Sequence, residues 1–336
     1  MSNEETKDTP APFGSVIAPH MASLRFSGGH WGGAQITPVE PLSLHPAAHV
    51  LHYGSSCFEG MKAFRSTDGP VRIFRIDRHL VRLQHSAELL CLPFPPLDIV
   101  ENMIRRVVES NESVVPQPPG ALYLRPVLIG THEGIGGAGK PSPEALLYVL
   151  ASPVGDYFSG GAHPLRILIE DQAMRTTPGF GQAKSGGNYA ASLRHVKHAR
   201  DRYGAEQVLF CPGGDVQETG ASNFFLFDDR RVLTKPLSPA FLHGVTRDSI
   251  LVLARELGYE VIERDFTVAE LKDWIRTGEA ALSGTAAVLS GVGSFIHDGA
   301  ELTVGDGRIG PNTLRLRNAL LAIQSGNAED RFGWLS

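Results

Sequence analysis

Apolar residues along this chain either alternate with polar ones or recur at helical spacing, and the two patterns together predict a mixed α/β protein. Residues 13–49 read as short strands and turns, with Ser15-Val16-Ile17, Ala34-Gln35-Ile36 and Leu42-Ser43-Leu44 as strand candidates. Val71-Arg72-Ile73-Phe74-Arg75 alternates as a strand. A helix follows it, with Asp77 as the expected N-cap and Ile76, Leu80, Leu83, Ala87 and Leu90 as its apolar face. A second helix is expected over 97–109. The strand after it, 121–129, places Tyr123 and Arg125 on one face because they stand two apart. Strands are further expected at 146–150, 165–170, 207–210, 216–218, 223–227, 232–234, 259–265 and 280–282. A helix that follows Lys184 rests on Tyr189, Leu193 and Val196. Another opens at Gly244 and stops at Gly258. Thr267 and Glu270 form a capping box for the next, and a helix over 311–325 closes the pattern.

Gly, Pro and Ser concentrate between Ser152 and Pro164, which marks the best domain boundary. The expected organisation is a disordered tail (1–12), a small α/β domain (13–155), a linker region (156–182) and a second α/β domain (183–336). No internal repeat is visible.

Composition narrows the function by exclusion. A net charge of −5 leaves no basic footprint for nucleic acid or an anionic membrane surface. No apolar run approaches the roughly 18 residues of a membrane span. The first twelve residues lack the apolar centre of a secretory signal. Cys57, Cys91 and Cys211 are far apart, so neither a disulfide framework nor a Cys-x-x-Cys metal site is expected, and a cytoplasmic enzyme fits.

The stretch Gly181-Gln-Ala-Lys-Ser-Gly-Gly-Asn-Tyr189 carries the candidate chemistry. Lysine is scarce beside arginine here, and Lys184 precedes two glycines, where a planar group can approach the backbone. Such a lysine is either a surface-loop residue or a Schiff-base nucleophile. An aldehyde cofactor with a phosphate tail and a pyridine ring would need a carboxylate at the ring nitrogen and donors at the phosphate. Glu218 before Gly220 offers the carboxylate. Val245 and Thr246 at a helix N-terminus, and Thr285 after Gly284, offer the donors. Taken singly, each also reads as a solvated Glu, a helix start or a turn threonine. Gly134-Ile-Gly-Gly-Ala-Gly-Lys140 spells the phosphate-cradling G-x4-G-K pattern, but Pro141 replaces its Ser/Thr and a strand, not a helix, is expected to follow. A Gly-rich loop is the better reading, with a P-loop nucleotide-binding protein kept as the alternative.

Several ordered motifs together resemble one family. Lys184-Ser-Gly-Gly-Asn-Tyr189, Glu218-Thr-Gly-Ala-Ser-Asn223, Gly244-Val-Thr-Arg247 and Ser283-Gly-Thr-Ala286 are similar to the successive motifs of branched-chain-amino-acid aminotransferases, which are fold type IV pyridoxal-phosphate enzymes. His52-Tyr53-Gly54, the run from Phe58 to Arg65, Phe74-Arg75, Tyr123-Leu-Arg-Pro126, Gly310-Pro311 and the run from Asp330 to Trp334 extend the resemblance from about Gly28 onward. It implies two α/β domains with pyridoxal 5'-phosphate in the cleft between them, and a homodimer whose partner subunit contributes to the substrate pocket. It implies that Lys184 carries the cofactor and shuttles the substrate's proton. Glu218 would pair with the ring nitrogen, and Tyr189 would lie against the ring or its phenolic oxygen. Arg75, Val245, Thr246 and Thr285 would hold the phosphate. Tyr123, with the amides of Thr285 and Ala286, would take the substrate α-carboxylate. Arg125 would take the second carboxylate of glutamate, while Tyr53 and Phe58 wall an apolar pocket. The implied reaction moves the amino group of L-leucine, L-isoleucine or L-valine to 2-oxoglutarate, giving L-glutamate. Other fold type IV enzymes, the D-amino-acid and amine transaminases and aminodeoxychorismate lyase, share Lys184 and Glu218 and differ at the substrate residues.

Two departures stand out against the family pattern. Ala287 and Ser290 occupy the positions where animal relatives carry a redox Cys-x-x-Cys, so no thiol switch is expected there. Ala221 and Ser222 stand where relatives often carry Thr and a larger apolar residue. The Gly/Pro-containing segment 171–182 is expected to act as a lid.

Overall fold

The computed structural model describes residues 12–66, 69–155 and 163–336. Residues 1–11 of the expected tail and 156–162 of the expected linker lie outside the described residues. Two eight-stranded sheets carry the chain. The first contains β1 (His20–Ser27), β2 (His30–Trp31), β3 (Gln35–Pro38), β4 (Ser56–Phe58), β5 (Met61–Arg65), β6 (Val71–Ile73), β7 (Ala121–Gly130) and β8 (Ala145–Val154). Its pairings are antiparallel, in the order β2-β1-β8-β7-β5-β6, with β3 on β1 and β4 on β7. The second contains β9 (Leu165–Glu170), β10 (Gln207–Phe210), β11 (Asn223–Phe227), β12 (Arg231–Thr234), β13 (Glu260–Glu263), β14 (Glu279–Gly284), β15 (Val288–His297) and β16 (Ala300–Thr303). Here β9 runs parallel to β10 and β15, β12 runs parallel to β13, and the remaining pairs are antiparallel. The helices among the described residues are α1 (His49–Tyr53), α2 (Ile76–Leu89), α3 (Leu97–Ser110), α4 (Gly186–Tyr203), α5 (Val245–Glu256), α6 (Val268–Trp274) and α7 (Pro311–Gln324).

Helical and strand periodicities meet in the cores. Leu80, Leu83 and Ala87 of α2 pack with Met103, Ile104 and Val107 of α3 over Leu122, Leu124, Leu147 and Val149 of the first sheet. All five residues of β11 are buried, because both faces of the second sheet are covered. Phe225 and Phe227 face α5 and α7, whereas Phe224 and Leu226 face α6. The first of these cores also takes in Phe64 and Tyr123 of the first sheet and Phe74 just after β6, so apolar contact runs across the seam between the sheets. Removing each buried Leu or Phe from water is worth about 1.5–3 kcal/mol.

Four local expectations are corrected. Ser15–Ile17 and Leu42–Leu44 are not strands. Val16 and Ile17 stay about half exposed (47% and 46%) with no strand beside them, and the chain instead forms β1, whose Ala22 and Leu24 are buried between neighbours. Pairing overrides local propensity here. Asp77 sits in the first turn of α2, and Arg75 takes the N-cap in a left-handed conformation (φ 50°). Residues 216–218 make isolated bridges only, Leu209 with Thr219 and Glu218 with Asn223. On α4 the buried side is Asn188, Ser192 and Ala199, while Leu193 is exposed. The capping box of Thr267 and Glu270 forms as expected, and Gly134–Lys140 runs through turns with no helix after it.

Candidate active site

Lys184 lies on the seam between the sheets because its backbone is bonded from both sides. Its N–H donates to Ser86 Oγ of α2 (3.0 Å), and its carbonyl accepts from Phe58 N–H of β4 (3.0 Å). Ser185 then caps α4, accepting from Gly187 N–H. The lysine side chain projects from this clamp, and Nζ donates to Tyr189 Oη at 2.9 Å. Tyr189 stands against Phe58, with ring centroids 5.3 Å apart. Burial alone would raise the Tyr189 phenol, but the Lys184 ammonium, helped by Arg175 and Arg82, holds it below its ordinary value.

Two recesses share Lys184, Ala221, Ser222, Gly284 and Thr285 as walls. The inner one, about 40 Å³, is closed by Arg82, Glu218, Asn223, Leu242, Gly244, Val245, Thr246 and Ser283. The outer one, about 590 Å³, is lined by Phe13, Phe58, Gly60, Tyr123, Arg125, Tyr189 and Ala286 among others. Arg125 Nη2 donates to Tyr123 Oη (2.8 Å), and its guanidinium lies 4.6 Å from the Phe58 ring centroid. Any side chain at Gly60 would overlap the Tyr123 hydroxyl, which explains the glycine. Lys62 Nζ reaches across the seam to the Ala286 carbonyl (2.7 Å) and fixes the turn after Gly284. A wider surface groove of about 780 Å³ around Asp228, Arg231, Asp306 and Arg308 has no lysine or aromatic residue among the described residues of its walls.

Buried charge is concentrated behind these recesses. Glu218 is 3% exposed, and burial pushes its carboxyl up to about 7 against the opposing pull of Arg175, the Leu242 N–H, Lys184 and Arg82. Glu59, fully buried, receives Arg82 Nε at 2.6 Å, Arg82 Nη2 at 2.9 Å and His79 Nδ1 at 2.7 Å. Burial would raise Glu59, but Arg82 and His79 hold it well below the usual carboxylate range. Burial outweighs Glu59 at His79 and lowers the imidazole, so a neutral ring donates Nδ1–H to the carboxylate. Arg82 also donates to the His243 carbonyl (2.9 Å), which ties α2 to the entry of α5.

The structure brings Lys184, Tyr189, Glu218, Val245, Thr246, Thr285, Ala286, Tyr123, Arg125 and Phe58 to the two recesses. It does not bring Arg75 or Tyr53. Arg75 pairs with Asp248 (2.6 Å), donates to Ser249 Oγ (2.9 Å) and lies over the Trp334 ring. The guanidinium in the inner recess belongs to Arg82. The Tyr53 hydroxyl donates to the Ile135 carbonyl and accepts Gly137 N–H (3.1 Å), away from both recesses of its own chain. Segment 171–182, the expected lid, is anchored inward at two points: Arg175 is buried beside Glu218, and Gly181 packs so tightly on the Ala240 backbone that a side chain would collide there. Sequence reasoning missed Arg82, Arg175 and Phe13. A signal for Arg82 was present: His79, Arg82 and Ser86 recur at helical spacing on α2, and all three are buried.

The comparisons with known proteins agree with this geometry. The family described as amino-transferase class IV matches residues 56–295. A probable branched-chain-amino-acid aminotransferase of Streptomyces coelicolor is 39% identical over 333 residues, covering 96% of this chain and 91% of the relative. The branched-chain-amino-acid aminotransferase of Mycolicibacterium smegmatis is 38% identical over 338 residues, with the same coverage of 96% and 91%. The solved branched-chain amino acid aminotransferase from Escherichia coli superposes with a TM-score of 0.76 at 30% identity, covering 95% of this chain and 98% of that one. With the matched family spanning both sheets and Lys184 at their seam, this chain belongs to the class IV aminotransferases, in their branched-chain-amino-acid group.

Proposed function

We propose that this enzyme transfers the amino group of L-leucine, L-isoleucine or L-valine to 2-oxoglutarate with pyridoxal 5'-phosphate as cofactor. The observation that carries the reading is the placement of Lys184 Nζ between a buried carboxylate recess and an aromatic cavity that holds the Arg125 guanidinium. The residues fit the cofactor. Arg82, the Val245 and Thr246 amides at the start of α5, and the Thr285 hydroxyl suit a phosphate. Ser283 Oγ is buried in the same wall with no partner among the described residues. Glu218, a buried carboxylate, suits a protonated ring nitrogen.

When bound, pyridoxal phosphate supplies an electron-withdrawing ring that takes up the electron pair left as the substrate Cα–H breaks. Lys184 Nζ holds the cofactor and moves the proton from Cα, with Tyr189 Oη orienting it at 2.9 Å. Tyr123 and the Thr285 and Ala286 amides take the α-carboxylate. Phe58 and Phe13 present apolar surface to a branched side chain. Arg125, whose Nε is buried without a partner among the described residues, receives the second carboxylate of glutamate. One cavity thereby serves both substrates. A half-reaction tests this: L-leucine and L-glutamate should each discharge the cofactor's visible absorption, and D-alanine should not. Arg125→Met should slow the L-glutamate half-reaction by about 10²-fold, the loss of a charge-assisted contact of roughly 1.5–3 kcal/mol, and leave L-leucine nearly unchanged. Discharge by D-alanine alone would replace the substrate assignment with that of a D-amino-acid transaminase.

The two sheets with their helices are proposed as the two domains, 13–155 and, because β9 of the expected linker pairs into the second sheet, 165–336, in a cytoplasmic homodimer. Among the described residues no helix is long and apolar enough to cross a membrane. The dimer accounts for Tyr53: Leu51 and Ile135 beside it are 60% and 74% exposed, an apolar surface that a second copy would cover. Tyr53 would then serve the other copy's cavity. Mixed Lys184→Ala and Tyr53→Ala chains should regain activity that neither has alone, since hybrid dimers hold one intact site. Failure of mixing to restore any activity, with hybrids verified by mass, overturns the shared site.

A further inference from the structure

Glu218 is held more fully at one oxygen than at the other. Its Oε1 lies 2.6 Å from Arg175 Nε and accepts the Leu242 N–H at 3.0 Å, while Oε2 takes a single bond, from Asn223 Nδ2 at 3.1 Å. The carboxylate therefore keeps acceptor capacity on Oε2, and it lines the inner recess with Lys184. Arg175 is itself immobilised. It is 4% exposed, and its Nη2 donates to the Gly181 carbonyl (2.9 Å), closing the segment 171–182 on itself. Asn188 of α4 grips the same segment through the Phe180 and Ala183 carbonyls (2.9 and 2.8 Å).

We propose that Arg175 is the positioning residue that favours the ionised form of Glu218 and turns Oε2 toward the cofactor's ring nitrogen, so that segment 171–182 backs the cofactor site from behind Glu218. This rests on the cofactor reading above. A carboxylate this deeply buried tends to take up a proton, and a protonated Glu218 could not pair with a protonated ring nitrogen. The cations facing Glu218 are Arg175, Lys184 and Arg82, from the 171–182 segment, the start of α4 and α2. Arg82 is committed to Glu59, and Lys184 is the reacting group. Arg175 alone is in contact with the carboxylate throughout.

The test compares wild type with Arg175→Met and Arg175→Lys. In each cofactor-free full-length chain, the Glu218 carboxyl is titrated by its infrared C=O stretch, identified by its loss in Glu218→Gln. Pyridoxal phosphate affinity is then measured across the same pH range. Arg175→Met should move the Glu218 midpoint up by about 1–3 on the pH scale and weaken neutral-pH cofactor binding about 10-fold or more. Arg175→Lys keeps the charge but loses the fork, so it should hold the midpoint near wild type while still weakening binding. Two results overturn the proposal: a folded Arg175→Met whose midpoint does not move, or an Arg175→Lys that shifts it as far as methionine does. If the methionine variant does not fold, the lysine variant decides by the same midpoint. A wild-type chain that bound no pyridoxal phosphate would sink the cofactor reading instead, and the titration would still decide the Arg175–Glu218 coupling.

Discussion

Lys184→Ala should lose transamination by about 10³-fold or more, while the protein stays folded with nearly wild-type stability. The two halves of that expectation have separate structural causes. The side chain makes one polar contact, Nζ to Tyr189 Oη, and it is only half-buried. The bonds that place residue 184 at the seam are backbone bonds, to Ser86 Oγ and from Phe58 N–H, and alanine keeps both. The loss therefore falls on chemistry. Among the described residues no other amine lines either recess, so none of them can both hold the cofactor and carry the Cα proton. Single-turnover conversion of L-leucine, with thermal unfolding in parallel, reads both halves. A variant within tenfold of wild type would mean that another group carries the proton. A variant that unfolds would mean that the clamp depends on the side chain.

Arg82→Met should destabilise the fold by about 3–5 kcal/mol and abolish tight cofactor binding. Arg82 pairs with Glu59 through two nitrogens, reaches the His243 carbonyl and closes the inner recess. Methionine leaves Glu59 as a fully buried carboxylate with His79 and the Gly60 N–H as its remaining partners and no cation beside it. The pH dependence follows from the direction of the Glu59 shift. In wild type the carboxyl is held below its unfolded value of about 4.3, so the cluster's contribution is complete above that pH and fades as pH falls below it. In the variant, burial takes over and Glu59 prefers its neutral form. The stability gap between the two proteins should then be widest near neutral pH and narrow on acidification. Denaturant unfolding at several pH values measures it. Adding Glu59→Gln to Arg82→Met should recover part of the loss, because the uncompensated charge is gone. Equal unfolding midpoints for wild type and Arg82→Met would show that the buried pair contributes nothing.

The sequence by itself determined the local and the ordered features. Helical periodicity specified α2, α3, α5 and α7, and side-chain chemistry specified the Thr267 capping box, because these depend on residues within a turn or two of each other. The order and spacing of the Lys184, Glu218, Thr246 and Thr285 motifs pointed to the family, since each motif is contiguous. Tertiary structure alone decided three matters. It selected β1 over Ser15–Ile17, because a strand exists only where another offers hydrogen bonds, and that choice is invisible to propensity. It selected Arg82 over Arg75 as the guanidinium of the inner recess. The two stand seven residues apart at the start and middle of one helix, and only the direction in which α2 meets the seam separates them. And it sent Arg175 inward to Glu218 and Tyr53, at the end of α1, outward from its own cavity, since the destination of a side chain on a loop or a short helix is set by what packs against it.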